Sequence, residues 1–364
     1  MPISIHPAVA SVPPYKPGRP APVGPDGVSY KLSSNENPYP PLPGVVEATQ
    51  RAVAQMNRYP DMANTELTAA LAARHGIGAD EIAFGTGSVA VLYTLLQAVV
   101  GEGDEVLYPW RSFEAYPIAV QLTGARSVRV PLGPGAVHDL DAMLSAITPA
   151  TKVILVCSPN NPTGPIVDHD QLAAFVGRVP EHIMIVVDEA YLEFATAPNR
   201  VRFTDLRRPN VVSLRTFSKA YGLAGFRVGY CIADPVVAGA IRAAATPFGV
   251  SGPAQAAALA SLQAEDQLLE RVSELITERS IVVAGLRDLG FDVPDSQANF
   301  VWLPAGERTN AYAEAFAAAG LAVRAFSDEP DAGIRITVAE PDANRLVLEV
   351  GKQLAVGSLG RSVG

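Results

Sequence analysis

Between residues 64 and 232, short β-branched, apolar runs alternate with helical stretches, and this alternation most narrows what the chain can fold into. The runs are "EIAFGTGS", "DEVLYPW", "ARSVRVPL", "KVILVCS", "HIMIVVDEAY", "NVVSLRTFS" and "FRVGYCIAD". Helical stretches such as "NTELTAALAARHG", which stops at a glycine, and "DQLAAFVGRV" separate several of them. Such an order predicts an α/β fold, with a mostly parallel sheet sandwiched by helices. Near-continuous apolar character, without alternation, marks strands buried on both faces.

The texture changes after "DQLLERVSELITERSIVVAGLRDLG", which reads as one long helix. "QANFVWLP", "LAVRAFS" and "GIRITVA" read as strands, interleaved with a helix around "NAYAEAFAAAG". This predicts a smaller α+β domain. The N-terminal "MPISIHPAVASVPPYKPGRPAPVGPDG" is too rich in proline for regular structure and reads as an extended arm packed near that domain. The expected division is therefore an arm over 1–40 belonging to the small domain, a large domain over 41–262, and a small C-terminal domain over 263–364. The final "GSLGRSVG" is expected to be a frayed tail.

Composition excludes some partners. A net charge of −9 offers no basic footprint for a nucleic-acid backbone. The apolar run "VAVLYTLLQAVV" is too short to cross a bilayer and reads as a buried helix. The N-terminus lacks the apolar core of a signal peptide, so the cytoplasm is the expected compartment. Cys157 and Cys231 are the only cysteines, far apart and in core-like runs, with no disulfide or metal pattern.

Polar signatures fall at the C-terminal ends of the predicted strands, where open parallel sheets hold ligands. They are "GTGS" (85–88), "RSFEAY" (111–116), "SPNNPTG" (158–164), "DEAY" (188–191) and "TFSKAYGLAGFRVGY" (216–230). Each fragment alone reads as a turn, a helix cap or a surface lysine. Together they meet one requirement, the holding of pyridoxal 5′-phosphate, which needs a lysine for a Schiff base, a carboxylate against its ring nitrogen and a phosphate cradle. Asp188 ends an apolar strand, so its charge needs a cationic partner, which a protonated ring nitrogen supplies. Tyr191 and Asn161 are placed to donate to the ring oxygen, and Phe113 to stack on the ring. Backbone N–H groups at Gly87, Ser88 and Val89 open a helix and suit an anion. Thr216 and Ser218 add hydroxyls and Arg227 a charge-assisted pair, with Gly222 and Gly225 turning the backbone between. Lys219 is then the anchor lysine.

These motifs, with "SSNENPYP", "NRYPD", "ANFVWLP" and "GIRITV", closely resemble the fold type I aminotransferases and, within them, the histidinol-phosphate aminotransferase branch. The resemblance runs over nearly the whole chain. It implies Lys219 as catalytic lysine, Asp188 on the ring nitrogen, Asn161 with Tyr191 on the ring oxygen, Phe113 as stacking aromatic, and Thr216, Ser218 and Arg227 on the phosphate. It implies a homodimer, with Tyr59 reaching the partner's phosphate. Arg335 takes the substrate's acidic group, with Arg324, Asn161 and Tyr15 as further substrate contacts.

Two stretches depart from the branch. "GSVA" stands where an acidic residue is usual, and "YPWRSFEAY" brings Trp110 and Arg111. Both look like the actinobacterial aromatic amino acid aminotransferases. The expected reaction is transamination of phenylalanine, tyrosine or tryptophan with 2-oxoglutarate, and the alternative is histidinol phosphate as donor. A decarboxylase or an eliminating enzyme uses the same cofactor residues. A regulator of this shape needs a DNA-binding segment, and only the proline-rich arm precedes the fold here.

Overall fold

The computed structural model describes residues 3–5, 7–13, 20–25, 27–327 and 331–359. The arm contains a two-residue strand, β1 (Tyr30–Lys31). The seven apolar runs become β2 (Ile82–Gly85), β3 (Glu105–Trp110), β4 (Arg126–Pro131), β5 (Thr151–Cys157), β6 (Met184–Asp188), β7 (Val211–Thr216) and β8 (Gly229–Ile232). They form one seven-stranded sheet in the order β2-β8-β7-β6-β5-β3-β4. All neighbours are parallel except β8, which runs antiparallel to both β2 and β7.

Burial on both faces explains the apolar runs. Val153, Leu155 and Cys157 of β5 pack on one side with Val91, Leu92, Leu95 and Leu96 of the helix Ser88–Val99. Ile154 and Val156 pack on the other with Leu172, Phe175 and Val176 of the helix His169–Arg178. Each such side chain contributes about 1.5–3 kcal/mol of transfer free energy. The helix Ser88–Val99 has no side-chain N-cap, a contact worth about 1 kcal/mol elsewhere. Its buried face outweighs that loss, so its first turn stays available to a ligand.

The predicted long helix runs Glu265–Asp288 and leads into a second sheet. Strands β9 (Phe300–Pro304), β10 (Leu321–Ala322), β11 (Arg324–Phe326) and β12 (Gly333–Thr337) follow, with the helix Thr309–Ala318 among them. β11, β12 and β9 make an antiparallel sheet in that order. "LAVRAFS" is therefore two strands where the sequence suggests one. β10 leaves this sheet and pairs in parallel with β1, so the arm is stitched to the C-terminal part of the chain.

Two expectations for the ends need correction. The arm is not extended throughout, because Pro7–Ala10 makes a helical turn. That turn lies near the helix Ala115–Leu122, where Gln121 donates to Ser11 Oγ at 2.7 Å. At the other end, the helix Pro341–Leu359 continues through the first three residues of the expected frayed tail, and residues 360–364 lie outside the described residues.

Candidate functional site

The parallel strands β5, β6 and β7 all point their C-terminal ends at one cavity of about 290 Å³. Lining it are Ser88, Val89, Phe113, Asn161, Asp188, Tyr191, Thr216, Ser218, Lys219, Arg227, Arg324 and Arg335. Residues scattered over nearly 250 positions thus converge because strand ends in a parallel sheet share one edge.

Asp188 is buried at the last position of β6. Its Oδ2 accepts from the Tyr116 hydroxyl at 2.8 Å and its Oδ1 from the Ala190 N–H at 3.2 Å. Burial nevertheless holds its pKa above the usual carboxylate value, against those two bonds and the Lys219 charge. A buried acid in this state gains most from a cationic nitrogen brought to it.

Lys219 lies just past β7, and its Nζ donates to the Ser34 carbonyl at 3.1 Å. Burial is the largest influence on its ammonium and pushes the pKa down to about 7. Arg335 and Arg227 push the same way, while Glu36 and Asp188 oppose them. A substantial fraction of this amine is neutral at physiological pH, which suits a nucleophile and a proton carrier.

The candidate phosphate cradle is built by close approach. Gly87 has a φ of +90°, and a Cβ there would meet the Arg227 guanidinium. A Cβ on Gly229 would likewise strike the Ser88 nitrogen and Gly87. Arg227 donates to Ser218 Oγ at 3.2 Å and to the Thr86 carbonyl at 3.3 Å, beside the uncapped first turn at Ser88 and Val89. Thr216 Oγ1 accepts from the Ser218 N–H at 3.1 Å. One expected detail changes. Gly222 has a φ of +67°, but Gly225 does not enter the left-handed region, and Arg227 itself turns the chain with a φ of +55°.

Across the cavity, Arg335 of β12 is buried and donates to Asn161 Oδ1 and to the Ser33 carbonyl, both at 2.6 Å. Its guanidinium carbon lies 5.6 Å from the Phe300 ring centre and 5.9 Å from that of Phe326. With Asn161 Oδ1 engaged by Arg335, its amide nitrogen is the end left to donate. The Tyr191 hydroxyl accepts from Asn35 Nδ2 at 3.0 Å, and burial raises its pKa. Arg324 of β11 is paired with Glu114 at 2.7 Å.

Sequence reasoning missed several residues. Tyr116 closes "RSFEAY" and reaches Asp188. Asn35 of "SSNENP" ties Tyr191 to Thr337 Oγ1, and its carbonyl accepts from Asn299. Asn160, beside Asn161, holds the preceding loop by bonding Ser112, Thr163 and the Arg111 carbonyl. Cys157, read as a plain core thiol, is buried but faces the cavity, opposite Asp188 in register. Two expected residues, Gly87 and Tyr59, do not line the cavity; Gly87 lies behind it against Arg227, whereas Tyr59 points elsewhere. Tyr59 is 82% exposed and stacks on Phe248, 4.6 Å between ring centres. Trp110 and Arg111 line an adjoining chamber instead, and Tyr15 lies outside the described residues.

Residues 29–348 match the family model of aminotransferase class I and II, and the chain belongs to that family. A Streptomyces coelicolor protein called aromatic amino acid aminotransferase is 57% identical over 346 residues, covering 94% of this chain and 95% of that protein. One of the same name from Thermobifida fusca is 50% identical, covering 95% of each. Among solved structures, histidinol-phosphate aminotransferase from Sinorhizobium meliloti in complex with pyridoxal-5′-phosphate superposes with a TM-score of 0.86. It is 28% identical, over 97% of this chain and 98% of that one. The protein is thus an aminotransferase whose cofactor is pyridoxal 5′-phosphate. The cavity fits that group, offering a buried acid short of a cation, a near-neutral lysine and a glycine-built anion cradle.

Proposed function

We propose that the protein transfers the amino group of phenylalanine, tyrosine or tryptophan to 2-oxoglutarate. The observation that carries the reading is Arg335, a buried guanidinium bedded between two aromatic rings. It suits a carboxylate attached to an apolar side chain, and both donor and acceptor bring a carboxylate to it. The names of the Streptomyces and Thermobifida relatives support the same substrate class.

Bound in the cavity, the cofactor supplies an electron sink for the carbon that loses its proton. Asp188 keeps the proton on the cofactor's ring nitrogen, and Tyr116 orients Asp188. Asn161 and Tyr191 hold the ring oxygen, while Phe113 covers the ring. Gly87, Ser88, Val89, Thr216, Ser218 and Arg227 hold the phosphate. Lys219 would anchor the cofactor, and its Nζ, when free, would carry the α-proton.

The proposed working unit is a cytoplasmic homodimer. An arm over 1–40, a large domain over 41–262 and a small domain over 263–364 would make up each subunit. The exposed Tyr59, with Met56 and Met62 nearby also exposed, supports an interface at that face, through which Tyr59 reaches the partner's cofactor phosphate. No helix among the described residues is long and apolar enough to cross a membrane.

One observation favours a second reading. Arg324 stands directly opposite Arg335 on the neighbouring strand, and two guanidiniums side by side suit the phosphate of histidinol phosphate. A donor panel with 2-oxoglutarate and saturating cofactor decides. Phenylalanine and tyrosine should exceed histidinol phosphate in kcat/KM, and the reverse ranking would transfer the protein to the second reading.

A further inference from the structure

Glu114 is an acidic residue whose partner lies far from its own helix. It occupies the N-cap position of the helix Ala115–Leu122, where a carboxylate ordinarily turns back onto the first N–H groups. Here it makes no such cap. Instead it reaches Arg324, 210 positions along the chain, at 2.7 Å, with both side chains mostly buried.

The pair stands at a junction. Glu114 and Arg324 line the inner cavity that holds Lys219 and Asp188, and they also line a chamber of about 1120 Å³ beside it. The chamber wall includes Trp110, Pro117, Ile118 and Phe326. The inner cavity, of about 290 Å³, would be largely occupied by the cofactor, which would leave the substrate to be met at this neck.

Around the neck the cations are crowded. The guanidinium carbons of Arg111, Arg324 and Arg335 lie 5.2, 5.5 and 5.9 Å from the centre of the Phe326 ring. Arg324 and Arg335 are direct cross-strand partners, an arrangement that repels unless an anion intervenes. Glu114 is a built-in anion at that place. A donor with a bare ring leaves the pair intact. A donor with a dianionic phosphate must compete with Glu114 for Arg324 and meets its negative charge at close range.

We propose that Glu114 is a specificity-determining positioning residue. By holding Arg324 it cancels one of the positive charges at the neck and sets a carboxylate there, which selects donors that bring a single carboxylate charge against donors that bring a dianionic phosphate. The inference rests on the transaminase reading and deepens its substrate class. Rejection through an occupied cation is the repulsive half of specificity, distinct from the attraction that Arg335 supplies.

The test uses the cofactor-loaded enzyme and the ratio of kcat/KM for histidinol phosphate to that for phenylalanine. Glu114→Gln should raise this ratio about tenfold or more, as expected when a close charge is removed from a desolvated anion site. Glu114→Asp should return it toward the wild-type value. In Arg324→Gln the further change Glu114→Gln should have little effect on the ratio, because the two act as one unit. Calorimetric titration with inorganic phosphate gives a readout independent of turnover, and Glu114→Gln should bind it more tightly than wild type. An unchanged ratio and unchanged phosphate affinity in a cofactor-loaded Glu114→Gln enzyme would overturn the proposal. So would an equal shift in the Arg324→Gln background. The wild-type ranking separately judges the donor reading, since the change in ratio is defined whichever donor wild type prefers.

Discussion

The two walls of the active-site cavity are built on different plans. The wall proposed to hold the cofactor comes from β6, β7 and the turn before Ser88, and its residues sit within short motifs at strand ends. The wall proposed to meet the substrate is assembled from Ser33, Asn35, Glu114, Asn161, Arg324 and Arg335, joined by bonds that span 156 to 302 positions. In the proposed mechanism the first wall carries chemistry common to every substrate. The second holds the substrate itself, through the carboxylate at Arg335 and the charge near Arg324 and Glu114. Mutations in the first should therefore change rates irrespective of donor, and mutations in the second should change substrate binding, through KM or through the ratios between donors.

The largest effect should come from Lys219. Lys219→Ala should reduce turnover by about 10³-fold or more with every donor, the scale of losing a positioned proton carrier. Borohydride should fix the cofactor covalently to Lys219 in wild type and to nothing in the variant. Trapping on a different lysine in a peptide map would remove Lys219 from its role.

The next contrast sets one wall against the other. Asp188→Ala should slow the half-reaction by about 10²–10³-fold, by a similar factor for phenylalanine and tyrosine, because it removes preorganised charge from the cofactor. Arg335→Gln should instead raise KM for donor and 2-oxoglutarate by about tenfold to a hundredfold, leaving the cofactor spectrum in place. A donor-dependent loss in Asp188→Ala would erase the distinction between the walls.

A smaller effect follows from the depressed Lys219 pKa of about 7. Only the neutral amine is nucleophilic, and its fraction grows as pH rises through that value. Capture of pyridoxal 5′-phosphate by cofactor-free protein should therefore speed up about tenfold from pH 6 to 8 and then level off. A rate still climbing toward the value of 10.5 for an ordinary lysine would mean that Lys219 is not held neutral.

Tyr59 tests the walls least severely. Tyr59→Phe should loosen the cofactor only a few-fold, since it removes a single hydrogen bond worth about 1 kcal/mol. Wild type should sediment as a dimer. A fully active monomer would break the interface reading.

How much was legible beforehand tracks the same division. All seven runs became strands of the large sheet, because apolar β-branched stretches of that length have few alternatives once helices separate them. The residues gathered at its edge were legible too, since the end of a parallel strand is a position the sequence itself marks. Tyr116 was missed because its partner, Asp188, lies 72 positions away and nothing local announces the bond. Splitting "LAVRAFS" into β10 and β11 was equally invisible, as the two halves pair with different sheets. The arm was read as merely extended, yet it supplies Ser33, Ser34 and Asn35 to the site.

By itself the sequence determined the large sheet, the lysine and the aspartate, because apolar periodicity and strand-end motifs are local and need no distant partner to be read. The tertiary structure alone decided which cations are committed. Arg324 and Arg335 look alike in sequence, but one is matched with Glu114 and the other with Asn161 and a backbone carbonyl. Charge balance at a buried site is a sum over neighbours brought together by folding, and chain order carries no record of that sum.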